Sequence, residues 1–284
     1  MSTARTLALT TLAMTAFAGN SLLCRLALRH TGIDATSFTT IRLVSGALVL
    51  WLIARSYRRT QAGAGSWPSA LALFAYAAGF SFAYVSLPAA TGALLLFGAV
   101  QATMIGYGLS KGERFGRLQL AGLSLAFGGI VGLLLPGLSA PPLAGALLML
   151  GAGVAWGIYS LRGKGAGDPT RVTAGNFLRA VPLALALSLV MLSSASLDAA
   201  GVAYAVASGA LTSGIGYAIW YSALPALRAT TAATVQLSVP VIAALGGIAF
   251  LGEPVTVRLA LASAAILGGI ALVVLHKPAP VRAI

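Results

Sequence analysis

Few side chains in this sequence can do chemistry, and most of those sit inside long apolar runs. Three amides, Asn20, Gln101 and Gln236, lie deep in such runs. An amide in hydrocarbon is costly unless it is hydrogen-bonded. Each must therefore face protein or a wet cavity, either to hold a polar solute or to join two helices. The aromatic residues form a second set. Phe80 and Tyr84 share a helix face at i,i+4, Trp156 and Tyr159 at i,i+3, and Tyr217, Trp220 and Tyr221 do likewise. Rings with polar tips suit a pocket for an amphipathic or aromatic solute; the alternative is a belt at the membrane interface. Arg42 and Arg179 also stand within apolar runs, and an intramembrane arginine is a functional candidate by default.

What is missing narrows the chemistry further. The five acidic residues, Asp34, Glu113, Asp168, Asp198 and Glu253, all fall in loops or at helix ends. No midplane carboxylate is on hand to trade a proton for an organic cation, which disfavours a cationic-drug pump and favours facilitated diffusion. His30 and His276 flank spans, and no HExxH or DxxxD pattern occurs, so an intramembrane enzyme has no nucleophile–base pair. Cys24 is the single cysteine, which excludes an internal disulfide and a cysteine-based zinc site. No cofactor and no metal are expected.

The elements that carry these residues follow from composition. The chain has 284 residues, 58% hydrophobic and 8% charged, with a mean hydropathy of +0.93. Soluble domains carry roughly 25% charged residues, so lipid is the solvent here. The apolar runs are continuous and not alternating, which selects helices over a β-barrel. A span needs about 20 residues, and ten candidates appear: Thr6–Leu28, Thr36–Ala54, Trp67–Leu87, Thr91–Ser110, Phe115–Leu135, Pro142–Leu161, Thr170–Leu192, Ala199–Leu224, Ala229–Leu251 and Thr256–Leu275. The N-terminus imitates a signal peptide, with Arg5 and then Ala16-Phe17-Ala18, but its apolar run continues through Leu23 and reads as the first span.

The net charge of +13 invites a nucleic-acid reading, which fails because the charges cluster in short loops with no basic, aromatic-interleaved stripe. With the N-terminus inside, 13 Lys and Arg fall on the cytoplasmic side against three outside, Arg25, Arg29 and Arg258. By the positive-inside rule both termini are cytoplasmic, the location being a bacterial inner membrane. Lipid is then the surrounding partner; oligomeric state is left open.

The halves repeat. Arg25 and Arg162 are 137 residues apart, as are Arg42 and Arg179, Tyr84 and Tyr221, and Pro88 and Pro225. At an offset of 140, Gly112-Glu113 answers Gly252-Glu253, and Gly128-Gly129 answers Gly268-Gly269. Residues 1–138 and 139–277 thus form two five-span units, with a cytoplasmic tail at 278–284. An odd number of spans inverts the second unit, an arrangement typical of secondary transporters with a midplane site. Arg42 enters roughly 9 Å deep from the external end, on the side of Glu253, and Arg179 shares the inner side with Glu113. Two ion pairs across the halves, Arg42–Glu253 and Arg179–Glu113, are candidate gates; snorkelling or capping is the alternative. Gly153 and Gly157, like Gly128 and Gly132, have GxxxG spacing for close helix approach, and Pro182 and Pro240 should kink their helices.

Leu251-Gly252-Glu253-Pro254 followed by Gly268-Gly269, with Val239-Pro240-Val241 upstream and Tyr221-Ser222-Ala223-Leu224 closing the eighth span, resembles the EamA-type unit of the drug/metabolite transporter superfamily. Within it the chain is most similar to YddG-type exporters of aromatic and other amino acids. The resemblance implies ten helices and a central cavity lined by spans 1, 3, 4, 6, 8 and 9. The chain departs from the family at Ala18-Gly19-Asn20, where many members carry Trp-Gly, while Trp156-Gly157 keeps that pair. The expected function is export of an amino acid or related metabolite by alternating access; efflux of drugs or another metabolite class is the alternative, and a structural subunit the rival from another class.

Overall fold

A computed structural model of the chain describes residues 2–56, 64–112, 115–137, 140–163, 166–227, 232 and 235–275. Among the described residues there is no strand. The helices are α1 (Thr3–His30), α2 (Ala35–Ser56), α3 (Trp67–Tyr84), α4 (Ala89–Ser110), α5 (Arg117–Leu134), α6 (Leu143–Gly163), α7 (Pro169–Val190), α8 (Ala199–Ala226), α9 (Ser238–Leu251) and α10 (Val257–Leu275). Among the described residues eight are long and apolar enough to cross a membrane; α3 has 18 residues and α9 is a shorter apolar helix of 14. The molecule is apolar outside: Phe250 is 80% exposed and Val190 77%, an arrangement only lipid tolerates.

Polar punctuation starts the helices. Ser2, Ser66, Asp168 and Asp198 each accept a hydrogen bond from the backbone N–H three residues on, a cap worth about 1 kcal/mol. Two spans differ from the sequence expectation. The eighth is not one regular helix: Ser208–Ile215 winds as a π segment in its middle. In the ninth, the described helix starts at Ser238, so Pro240 lies in its first turn, where its missing N–H breaks no ladder. The expected kink is instead a break at Leu237.

Helix packing exchanges when the halves are exchanged. The helices α2 and α7 pack on each other, as do α5 and α10. Contact of α3 with α6 is answered by α8 with α1, and α4 with α6 by α9 with α1. Small residues permit these approaches. A Cβ on Gly153 would lie 2.6 Å from Ala99 Cβ and one on Gly157 2.7 Å from Thr103 Cβ, so α6 rides directly on α4. Gly128 and Gly132 do not share this role: a Cβ on either would meet no neighbouring element within 4 Å. The α5–α10 seam is made instead by Gly122, Gly129 and Gly269, because the residues facing α10 fall one helical position away.

The loop joining α1 to α2 is tied to the one joining α7 to α8. The Asp34 carboxylate accepts from the N–H groups of Thr36 at 2.8 Å, Ser37 at 3.0 Å and Ser196 at 2.9 Å. Partial burial pushes this carboxyl up, but hydrogen bonds from Ser196, Ser37 and Thr36 outweigh it and hold the pKa below the ordinary aspartate value.

Candidate functional site

At mid-depth the bundle encloses a cavity walled by Phe17, Asn20 and Ser21 of α1, Tyr76 and Phe80 of α3, Leu96 and Phe97 of α4, Trp156 of α6, Thr212 and Tyr217 of α8, and Gln236. The space open to water is about 30 Å³, far below the several hundred Å³ of a typical ligand pocket. The rings leave little free space at the centre of the molecule.

Asn20 organises the polar wall. Its amide donates to Tyr76 Oη at 3.2 Å, while its carbonyl oxygen accepts from Ser208 Oγ at 2.6 Å and Thr212 Oγ1 at 3.2 Å. Both hydroxyls come from the π segment of α8, whose extra backbone residue brings them to α1. Such π turns often sit at functional sites. Tyr76 Oη also accepts from Arg42 at 3.0 Å, so one network joins α1, α2, α3 and α8.

The apolar wall is a continuous ring cluster. Tyr76 and Trp156 centroids lie 4.7 Å apart and Trp156 and Tyr217 5.3 Å apart. Phe17 then meets Tyr217 edge-on at 5.6 Å, and Phe80 meets Tyr76 at 5.4 Å. These separations match favourable aromatic pairing.

Of the residues singled out from sequence, Asn20, Phe80, Trp156, Tyr217 and Gln236 come together around the cavity. Four stay outside its wall. Tyr84 is buried behind Phe80 and donates to the Ala89 carbonyl at 3.3 Å. Tyr159 stacks behind Trp156 and accepts from Asn176 Nδ2 at 3.5 Å. Trp220 packs on Phe17, one turn past Tyr217. Gln101 is buried on α4, a turn beyond the lining Phe97. Sequence reasoning missed Phe17, Tyr76, Ser208 and Thr212. Tyr76 precedes Phe80 by four residues, so the i,i+4 rule that paired Phe80 with Tyr84 also pointed to it.

The expected gate pairs need correction. Glu253 does not pair with Arg42. Its Oε1 lies 3.2 Å from Arg25 Nε, and both carboxylate oxygens accept from the Ala89 N–H, at 3.0 and 2.8 Å. Arg42 points inward instead of toward the helix ends, its guanidinium 4.8 Å from the Phe80 ring centroid and 5.2 Å from that of Tyr76. Glu113 lies outside the described residues; Arg179 donates to the carbonyls of Ala64 and Gly175.

The Leu251-Gly252-Glu253-Pro254 motif now has a physical reading. Gly252 ends α9 in the left-handed conformation at φ 62°, which favours glycine. Glu253 then folds back so that its N–H bonds the Gly247 carbonyl at 3.1 Å. A Cβ on Gly247 would lie 2.7 Å from the carboxylate, so that glycine makes room for it. The carboxylate caps α4 at its positive N-terminus, and Arg25 also donates to the Tyr84 and Val85 carbonyls at 3.0 and 3.2 Å. One ion pair thus fastens α1, α3, α4 and α9 at one end of the cavity. At the opposite end Arg162 donates to Ser69 Oγ at 3.2 Å and the Ser66 N–H to Asn176 Oδ1 at 2.8 Å.

A bundle apolar outside, with a polar and aromatic cavity at its centre, is the build of a multi-pass membrane protein. Residues 143–275 of the chain match the model of the EamA-like transporter family. It is 61% identical over 270 residues to an uncharacterized protein of Pseudomonas aeruginosa, covering 95% of this chain and 94% of that one. It is also similar to the threonine/homoserine exporter RhtA of Salmonella typhimurium, 37% identical over 120 residues, and of Escherichia coli K12, 36% identical. Those matches cover 40% of this chain and 39% of the exporters. A solved crystal structure aligns over 94% of this chain and 98% of its own, with a TM-score of 0.64 and 21% identity, a likeness of fold.

Proposed function

We propose that this protein exports small neutral amino acids or closely related metabolites by alternating access, from a bacterial inner membrane with both termini cytoplasmic. The observation that carries the reading is the cavity itself: an amide–hydroxyl cluster centred on Asn20 faces a wall of Tyr76, Trp156 and Tyr217. Such a site offers hydrogen bonds to a solute's polar end and ring faces to its side chain. The partial similarity to threonine/homoserine exporters supports an amino acid as cargo, and the aromatic wall keeps aromatic amino acids within the same reading.

Two inverted units, 1–138 and 139–277, supply the motion. The exchange of helix contacts between halves supports a two-fold axis through the cavity, about which rocking opens one end as the other closes. Arg25–Glu253 serves as the latch of the outer end, and the excess of Lys and Arg on the opposite side sets the orientation. No midplane acid is available among the described residues to couple a proton, which favours a facilitative carrier.

Cells expressing the chain and preloaded with labelled threonine should release it faster than control cells, and Asn20→Ala or Trp156→Ala should abolish the gain. Equal release from control and expressing cells, for threonine and every other neutral amino acid, would refute the reading.

A further inference from the structure

Arg42 is the one basic side chain fully buried among the described residues, 2% exposed, and no acid neutralises it. Each acid in the described residues is occupied elsewhere: Asp34, Asp168 and Asp198 accept from backbone amides at helix starts, and Glu253 is bound to Arg25. A buried charge without a counter-charge is costly. Two ring faces and one phenol oxygen compensate it in part, yet Nη1 is buried with no partner. Among the described residues nothing supplies its counter-charge.

The position of the missing anion follows from the network. Tyr76 lines the cavity, and its oxygen accepts from Arg42 Nη2 at 3.0 Å and Asn20 Nδ2 at 3.2 Å. Both lone pairs are engaged, so the remaining bond of Tyr76 is the one its own O–H donates. Polarised from behind by a guanidinium, that hydroxyl is a strong donor to an anionic oxygen.

Resting on the amino acid reading above, we infer that Arg42 and Tyr76 form the receptor for the solute's carboxylate. The Tyr76 hydroxyl donates to it from the cavity wall and Arg42 supplies the balancing charge. The cargo is then carboxylate-bearing, and the matching amino alcohol, identical but for that group, is excluded. Arg42 acts through Tyr76 and is a specificity-determining residue.

The test is competition by threonine, threoninol and 2-hydroxybutyrate against labelled threonine in proteoliposomes, with thermal stabilisation of the purified protein by the same three compounds and by tetraethylammonium. Wild-type protein should prefer threonine over threoninol by about tenfold or more, the worth of one charge-assisted hydrogen bond. Arg42→Gln and Tyr76→Phe should lose that preference while keeping their fold, and Arg42→Lys should keep most of it. A packing role for Arg42 would change stability but leave the acid-to-alcohol ratio intact, and an intact ratio in folded Arg42→Gln overturns the inference. If Arg42→Gln does not fold, the wild type decides, since equal competition by threoninol overturns it as well. Stabilisation by 2-hydroxybutyrate but not threonine, lost in Tyr76→Phe, would reject the amino acid reading and uphold the carboxylate receptor. Stabilisation by tetraethylammonium alone would reject both.

Discussion

Glu253→Gln should loosen one end of the bundle, and the native cysteine should report it. The Glu253 carboxylate holds Arg25 and the Ala89 N–H, with both charged side chains 12% exposed. Each charge-assisted bond lost is worth about 1.5–3 kcal/mol. The glutamine retains one oxygen for Ala89, and Arg25 retains the Tyr84 and Val85 carbonyls, so a net loss of about 2 kcal/mol is expected. That shifts the balance between closed and open ends by roughly 30-fold. Cys24, next to Arg25, is the only cysteine and 0% exposed, so a hydrophilic maleimide reaches it only when this end opens. Labelling should accelerate by about 10- to 100-fold in Glu253→Gln and similarly in Arg25→Gln, with little further gain in the double variant because both remove one contact. An unchanged labelling rate in folded Glu253→Gln would refute the latch.

Other expectations are simpler to read. Gly153→Leu forces a side chain into Ala99 and the Leu96 carbonyl and should cost about 1–3 kcal/mol or more in a melt, whereas Gly132→Ala, with open space around it, should leave the melting temperature unchanged or slightly raised. Asn20→Ala strands Ser208 Oγ and one Tyr76 contact, costing about 1–3 kcal/mol along with transport, while Gln101→Ala, off the cavity wall, should reduce transport far less. The lowered pKa of Asp34 means its contribution is present above the ordinary aspartate range and lost as pH falls through its folded value. Stability should therefore decline in acid, and Asp34→Asn should flatten that part of the profile.

The helical class was legible because it rests on composition and span length, which need no tertiary information. The repeat was read from spacing alone: Arg25 and Glu253 could be matched to Arg162 and Glu113 without knowing what any of them touched. Partner choice was not legible. Arg42 and Glu253 share a side of the membrane, but helix rotation decides contact, and rotation turned Arg42 toward Tyr76 and left Glu253 to Arg25. Helical spacing found Phe80, Trp156 and Tyr217, and it placed Tyr84 and Trp220 with them although one turn more carries each ring out of the wall. Ser208 and Thr212 were invisible, since a π turn has no composition of its own and small hydroxyl residues are common in membrane helices.

Counterflow tests the central claim most directly. Purified protein is reconstituted in liposomes loaded with one unlabelled amino acid, and uptake of labelled threonine is followed with and without a pH gradient. Saturable exchange that survives collapse of the gradient and is lost in Asn20→Ala is the predicted result. No exchange for any neutral amino acid, by protein shown to be folded, would contradict the account.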